Sequence, residues 1–244
     1  WLRQPKLNQN AAARILSSRS ISGLLFAPQV NPNTHLDFDM KQFSSITFGY
    51  SLVKPNLHVV MNHQFRNMSI LVRHLRENGY SRVGLAMPSK LDERANHNYL
   101  AGYLVEREAF KKVDRIPHLL TENFSRDPFE KWFERYHPEV IITSLGGSAE
   151  IHEWLVTNNY QVPQDVGIAL PNIRFEDTIY SGIDENPLLV GAMAVNTVVG
   201  MIHRNEKGIP PNPQHILIEG LWVDGQTVKL PNPKAPRSLK KSFK

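Results

Sequence analysis

Few residues of this chain stand at the spacings that catalysis needs. Ten histidines are spread through 244 residues, but none forms an H-E-x-x-H pair or gathers with carboxylates at metal-ligand spacing. No metal site is expected. Cysteine is absent, which removes thiol nucleophiles, thiolate metal sites and disulfides. Ser148 stands in Gly146-Gly147-Ser148-Ala149, not in the G-x-S-x-G turn that exposes a hydrolase serine. Neither a Walker phosphate loop nor a G-x-G-x-x-G turn occurs, so no cofactor is expected. Asp184 and Glu185 are adjacent just before Asn186-Pro187, where acidic side chains favour the positive end of a following helix. Acid/base catalysis by that pair is the alternative. The expectation is a chain that binds and does not catalyse.

Asn62, His63 and Arg66 follow the end of an apolar strand, where polar side chains face a cleft. For Arg66 the alternative is an ordinary helical surface. The elements around them begin with Leu57 to Pro88, which reads strand, amphipathic helix, strand. Ile70, Leu71 and Leu75 share one helix face, and Gly79 sits at the C-cap. Strands joined this way pair in parallel through a right-handed crossover, which places both in one sheet. Before this unit the pattern predicts a helix over Ala11–Ser18 and strands over Gly23–Pro28 and Ser45–Tyr50. After it, Ser89–Asn98 reads as a polar connection and Tyr99–Phe110 as a helix. Asp127-Pro128-Phe129-Glu130 offers an N-cap acceptor, a proline at the first helical position and a glutamate behind it. Strands follow over Glu139–Ser144 and Val166–Leu170, separated by a helix capped by Ser148. The longest helix runs from Pro187 to near Glu206, with apolar residues around most of its circumference, and is expected to be largely buried. Asp224-Gly225 predicts a closing hairpin. The elements fall into two groups, implying two α/β lobes with a ligand between them.

Composition limits the classes of partner. With 41% hydrophobic and 21% charged residues, the chain is of the ordinary globular class and long enough for a large core. No apolar run approaches the roughly 18 residues that a membrane span needs. The net charge of +5 is a property of one end. Lys229, Lys234, Arg237, Lys240, Lys241 and Lys244 fall within the last 16 residues, which contain three prolines. Setting these six of the 28 basic residues aside leaves 22 against 23 acidic ones. The body therefore has no electrostatic footprint for nucleic acid, and the tail, 231–244, is read as extended.

Taken in order, several motifs resemble one family. They are Ile21-Ser22-Gly23-Leu24-Leu25, His74-Leu75 followed by Gly79-Tyr80-Ser81-Arg82-Val83-Gly84, Val162-Pro163-Gln164-Asp165-Val166-Gly167-Ile168, Ser181-Gly182-Ile183-Asp184-Glu185-Asn186-Pro187, and Glu219-Gly220-Leu221-Trp222-Val223-Asp224-Gly225. From Ala11 to Val228 the chain resembles the effector-binding core of LacI/GalR-type transcription regulators, a fold shared with type I periplasmic sugar-binding proteins. The resemblance implies an α/β fold of two Rossmann-like lobes with parallel sheets, crossed three times by the chain. The first lobe would comprise 1–88 plus 180–208 and the second 93–178 plus 214–230. Relative to the family the first lobe is truncated, lacking its first strand, first helix and second strand, and the DNA-reading head is absent.

The resemblance further implies a cytoplasmic homodimer that binds a small, sugar-like effector between its lobes and operator DNA through the absent head. No membrane is involved. No exposed apolar stripe is legible that would mark the dimer contact. A periplasmic solute-binding protein is the alternative. At positions where the family carries aspartate, arginine, an Asn-Asp pair and a further aspartate, this sequence has Asn62, Tyr99, Leu145-Gly146 and Asn172. The charged grip on sugar hydroxyls is thereby lost. Asn62, Arg66, His97, Tyr99, Gly146, Asn172 and Trp222 are the candidate ligand-binding residues. Each has a plainer alternative: helix surface for Tyr99, solvent exposure for His97, a tight turn for Gly146, a cap for Asn172, and an anchor of the hairpin for Trp222.

Overall fold

The computed structural model describes residues 9–122, 126–173 and 179–229. In chain order it contains α1 (Gln9–Ser18), β1 (Gly23–Phe26), β2 (Thr34–His35), β3 (Ser44–Thr47), β4 (Leu52–Lys54), β5 (His58–Asn62) and α2 (Gln64–Glu77). Then come β6 (Val83–Pro88), α3 (Ser89–Arg94), α4 (Asn98–Arg107), β7 (Leu119–Thr121), α5 (Arg126–Tyr136), β8 (Val140–Ile142) and α6 (Leu145–Thr157). The chain continues through β9 (Gly167–Ile173), β10 (Ser181–Asp184), α7 (Pro187–His203), β11 (His215–Ile218) and β12 (Leu221–Val223).

Two sheets organise these elements. The first has the order β1-β3-β5-β11 and the second β12-β10-β9-β8-β6-β7, while β2 and β4 form a small separate pair. All pairings in the first sheet are parallel. In the second only β12 runs antiparallel, against β10. Two α/β lobes are thus present, as the sequence predicts. Their boundaries differ from the expected ones. The first lobe is formed by 9–62 and 187–218, the second by 64–184 and 221–229.

The discrepancy arises because the strand-helix-strand unit at Leu57–Pro88 does not close within one sheet. Strand β5 lies in the first sheet and β6 in the second, so α2 leaves the lobe that precedes it. Its apolar face shows why. Met68, Leu71, Val72 and Leu75 are fully buried in one cluster with Val83, Leu85, Tyr99 and Tyr103 of the second lobe. Burying each such side chain contributes roughly 1.5–3 kcal/mol, far more than a local crossover preference. Gly102 permits the close approach of α4 to α2, since a Cβ there would fall 2.7 Å from the Phe65 carbonyl oxygen and 2.9 Å from Met68 Cβ. The other face of the second sheet is covered by aromatic residues of α5 and α6, including Phe129, Phe133 and Trp154. Likewise β10 and β12 belong to the second sheet, and β11 pairs with β5 in the first.

The first lobe is thinner. On one face Ala12 and Ala13 of α1 pack with Phe26, Phe43 and Leu57. On the other, Ile46 and Val60 meet Ala194, Val198 and Met201 of α7. The expectation that α7 is largely buried is corrected: Ala194, Val198 and Met201 are its only buried residues. Leu188 is 88% exposed, and Leu189, Val195, Val199 and Ile202 are exposed as well, because only the sheet side of this helix has a partner among the described residues. An exposed apolar stripe therefore exists that periodicity alone does not single out.

Two local expectations also change. Ser89–Asn98 contains the short helix α3, and the Asp224-Gly225 hairpin does not form. Instead β12 pairs with β10, Trp222 opposite Ile183. The following segment is held by Thr227, whose Oγ1 accepts from Ser181 N and donates to the Ile168 carbonyl. The expected cap by Ser148 is not made: Ser144 holds the N-cap position of α6 without a side-chain cap bond, and Ser148 Oγ, inside the helix, donates back to the Leu145 carbonyl. The tail, 231–244, lies outside the described residues. No helix of the described residues is long and apolar enough to cross a membrane.

Candidate ligand site between the lobes

The chain passes between lobes three times, at Asn62–Gln64, Asp184–Pro187 and Ile218–Leu221. These crossovers are tied together. Buried Asn67 of α2 accepts from Gly220 N at 2.8 Å, and a Cβ on Gly220 would fall 2.6 Å from the Asp184 carbonyl oxygen. Arg66 Nε lies 2.8 Å from Glu219 Oε1, with both side chains exposed. Beside this hinge, at the carboxyl ends of β5 and β9, a cavity of about 460 Å³ opens between the lobes. The ends of parallel strands leave loop backbone and polar side chains free to face such a cleft.

Its walls come from both lobes. The first supplies Pro28, Phe48, Tyr50, Met61 and Val190, the second Leu91, Arg94, Tyr99 and Asn172. Apolar surface dominates, with a few polar groups converging on it, which is the usual constitution of a small-molecule site. The floor is a hydrogen-bonded chain. Tyr99 Oη donates to Glu185 Oε1 at 3.1 Å, Asn62 Nδ2 donates to the same oxygen, and Gln64 Nε2 donates to Asn62 Oδ1 at 3.0 Å. Glu185 Oε2 receives no bond among the described residues. Burial of this carboxyl pushes its pKa up to about 7, against the lowering effect of the Tyr99 hydrogen bond and with help from Asp184. The Tyr99 phenol, fully enclosed beside it, is raised well above its ordinary value for the same reason. Two further polar atoms in the wall are buried without a partner among the described residues, Asn172 Oδ1 and Arg94 Nε.

Of the residues singled out in the sequence, Asn62, Tyr99 and Asn172 come together here. The other four do not line this cavity. Arg66 holds Glu219 at the hinge. His97 occupies a left-handed backbone position ahead of α4, and its exposed ring lies 3.0 Å from Asp92 Oδ2. Gly146 sits in the first turn of α6 with nothing within 4 Å of where a Cβ would stand. Trp222 stacks on His74 of α2 at 3.9 Å and donates from Nε1 to Asp224, so it anchors β12 to the second lobe. Sequence reasoning missed Glu185, Gln64 and Arg94. Asp184 does cap the following chain, accepting from Asn186 N, but Glu185 turns the other way into the cleft. Its position directly behind a strand end was the available signal, the same one that marks Asn62. Arg94 was hidden because α3 reads as a connection.

A larger cavity, of about 650 Å³, lies at the opposite end of the first sheet around His58, Arg204 and Glu206. There Arg204 and Glu206 pair with each other, and His58 Nδ1 accepts from Gln214 N. Arg204 and Glu206 are thus engaged with each other, and the candidate site is the cleft. No group of histidine, aspartate and glutamate side chains among the described residues could hold a metal ion.

The sequence matches no family model and no curated protein. Solved structures do resemble it. A LacI transcriptional regulator from a Rhodococcus species superposes with a TM-score of 0.66 at 12% identity, over 93% of this chain and 85% of that one. A transcription regulator-like protein from Staphylococcus haemolyticus gives 0.64 at 16% identity, covering 90% and 80%. A periplasmic binding protein/LacI transcriptional regulator from Alkaliphilus metalliredigens QYMF, solved with D-xylulofuranose, gives 0.65 at 13% identity, covering 89% and 82%. The fold is that of a LacI-type core. The three crossovers of this chain are joined by the contacts of Asn67, Gly220 and Asp184.

Proposed function

We propose that this chain is the effector-sensing core of a LacI/GalR-type transcription regulator, binding a small, sugar-like molecule between its lobes without catalysis. The observation that carries the reading is the interlobe cavity, where Asn172 Oδ1 and Arg94 Nε are buried without partners among the described residues. An unmade hydrogen bond at such atoms costs about 1–3 kcal/mol each, and because both are closed to solvent here, a ligand recovers it as the side chains turn toward it. The sugar-like class draws support from the amides of Asn62, Gln64 and Asn172 at the cleft, each able both to donate to and to accept from a hydroxyl, and from the ketose held by the Alkaliphilus structure. A molecule touching Arg94 and Asn172 from one lobe and Asn62 and Tyr50 from the other favours the closed arrangement. The shift in lobe spacing equals the difference in its affinity for the two states. In the assembled regulator that shift would reach operator DNA through a head outside this sequence, in a cytoplasmic homodimer.

The test is a thermal-shift and calorimetric screen of sugars, sugar phosphates and uronic acids, repeated on Asn172→Ala. A ligand that raises the melting temperature of the native chain should bind on the order of tenfold more weakly to the variant. Binding unchanged by Asn172→Ala and by substitutions at Tyr99 would place the site elsewhere.

A further inference from the structure

The cleft contains two opposite charges that do not neutralise each other. Glu185 presents a carboxyl whose Oε1 is saturated by Asn62 and Tyr99 and whose Oε2 has no donor. Its neighbours on that floor are neutral donors, and no cation pairs with it among the described residues. Arg94, at the end of α3, lines the same cavity. Its Nε is buried without an acceptor, and it too forms no ion pair among the described residues. Two such groups in contact would form a salt bridge. Both line one cavity without pairing with each other, in company with Phe48 and Tyr50.

We propose that the cleft selects a molecule carrying both an ammonium and an acidic group, the ammonium on Glu185 Oε2 and the acid on the Arg94 guanidinium. This rests on the reading of the cleft as the ligand site and narrows its class. A neutral sugar leaves both charges with only hydroxyl partners. A singly charged one satisfies one group and meets the other as a like charge, which is unfavourable in a partly desolvated cleft. A doubly charged ligand satisfies both, and charge-assisted bonds are roughly twice as strong as neutral ones. The space of about 460 Å³ holds either an amino-sugar phosphate or an apolar α-amino acid, both of which carry this chemistry.

The experiment is a calorimetric comparison on the whole chain with two matched sets of probes. One set is glucose, glucosamine, glucose 6-phosphate and glucosamine 6-phosphate; the other is leucine, isoamylamine and 4-methylpentanoate. In the set that binds, the doubly charged member should bind about 10- to 100-fold more tightly than each singly charged one. Glu185→Gln should abolish the gain from the amine alone, and Arg94→Gln the gain from the acid alone. Circular dichroism establishes that both variants are folded. Equal binding of neutral or singly charged members, or binding of the doubly charged member undiminished in both variants, overturns the inference. If neutral glucose binds and is lost on Asn172→Ala, the cleft remains the site and only its charge selectivity falls. If no probe of either set binds, the charge inference fails together with its support for the cleft.

Discussion

Replacing Glu185 by glutamine should stabilise the free protein, and by an amount that depends on pH. Glutamine keeps the carbonyl oxygen that accepts from Asn62 Nδ2 and Tyr99 Oη, and removes only the ability to ionise. In the wild-type chain burial raises this carboxyl from 4.5 to about 7. A carboxyl raised on folding binds more protons in the native than in the unfolded state between those values, so stability falls as pH rises through that interval. Below it both states are protonated and the substitution is neutral. Above it the native state holds a buried carboxylate that is disfavoured by roughly 3 kcal/mol. The groups acting on it are Tyr99, whose phenol is raised well above its ordinary value, and Asp184, whose neighbouring carboxylate adds to the rise. The difference in melting temperature between Glu185→Gln and wild type should therefore be close to zero near pH 4. By pH 8 it should reach about 6–12 °C in favour of the variant, at about 2–4 °C per kcal/mol for a chain of this size. Differential scanning fluorimetry across that range measures it, and pH effects common to both proteins cancel. A difference that does not vary with pH, or that shrinks as pH rises, would refute the argument from burial.

Other contacts yield sharper structural tests. Gly102→Ala would drive a Cβ to 2.7 Å from the Phe65 carbonyl oxygen; urea unfolding should show a loss of about 1–3 kcal/mol from overpacking the α2–α4 contact. Asn67→Ala leaves the buried Gly220 N–H without its acceptor. It should cost about 1–3 kcal/mol in the same assay and raise hydrogen exchange at Gly220, whereas unchanged exchange there would show that the hinge is held by other contacts. A double-mutant cycle on Arg66 and Glu219, both exposed, should return a coupling below about 1 kcal/mol that fades in salt.

Much of the architecture is legible because periodicity and punctuation are local. A helix forms where Asp127-Pro128 predicts one, although it begins at Arg126 and so holds Asp127 in its first turn instead of at the cap, and the strands at β5, β8 and β9 follow from short apolar runs. What does not follow is the sheet each strand joins. The run Leu57–Pro88 carries the pattern of a crossover within one sheet, yet its helix belongs to the second lobe because Met68, Leu71 and Leu75 find Tyr99 and Tyr103 there. Those partners lie some thirty residues further on, beyond any local signal.

The candidate site divides in the same way. Asn62 can be placed because it ends a strand, whereas Trp222 is misplaced, since only packing shows it stacked on His74 rather than free at a cleft. Glu185 and Asp184 are indistinguishable as neighbours before a helix, and the structure turns one to the helix start and the other to the cleft. By itself the sequence determined the kinds of elements, their order and the absence of thiol chemistry, because these depend on near neighbours and composition. Only tertiary structure decided how the lobes divide the chain, which face of α7 has no partner among the described residues, and that Glu185 and Arg94 line one cavity without an ion partner there. These depend on contacts between residues far apart in the chain, where burial energy outweighs local preference.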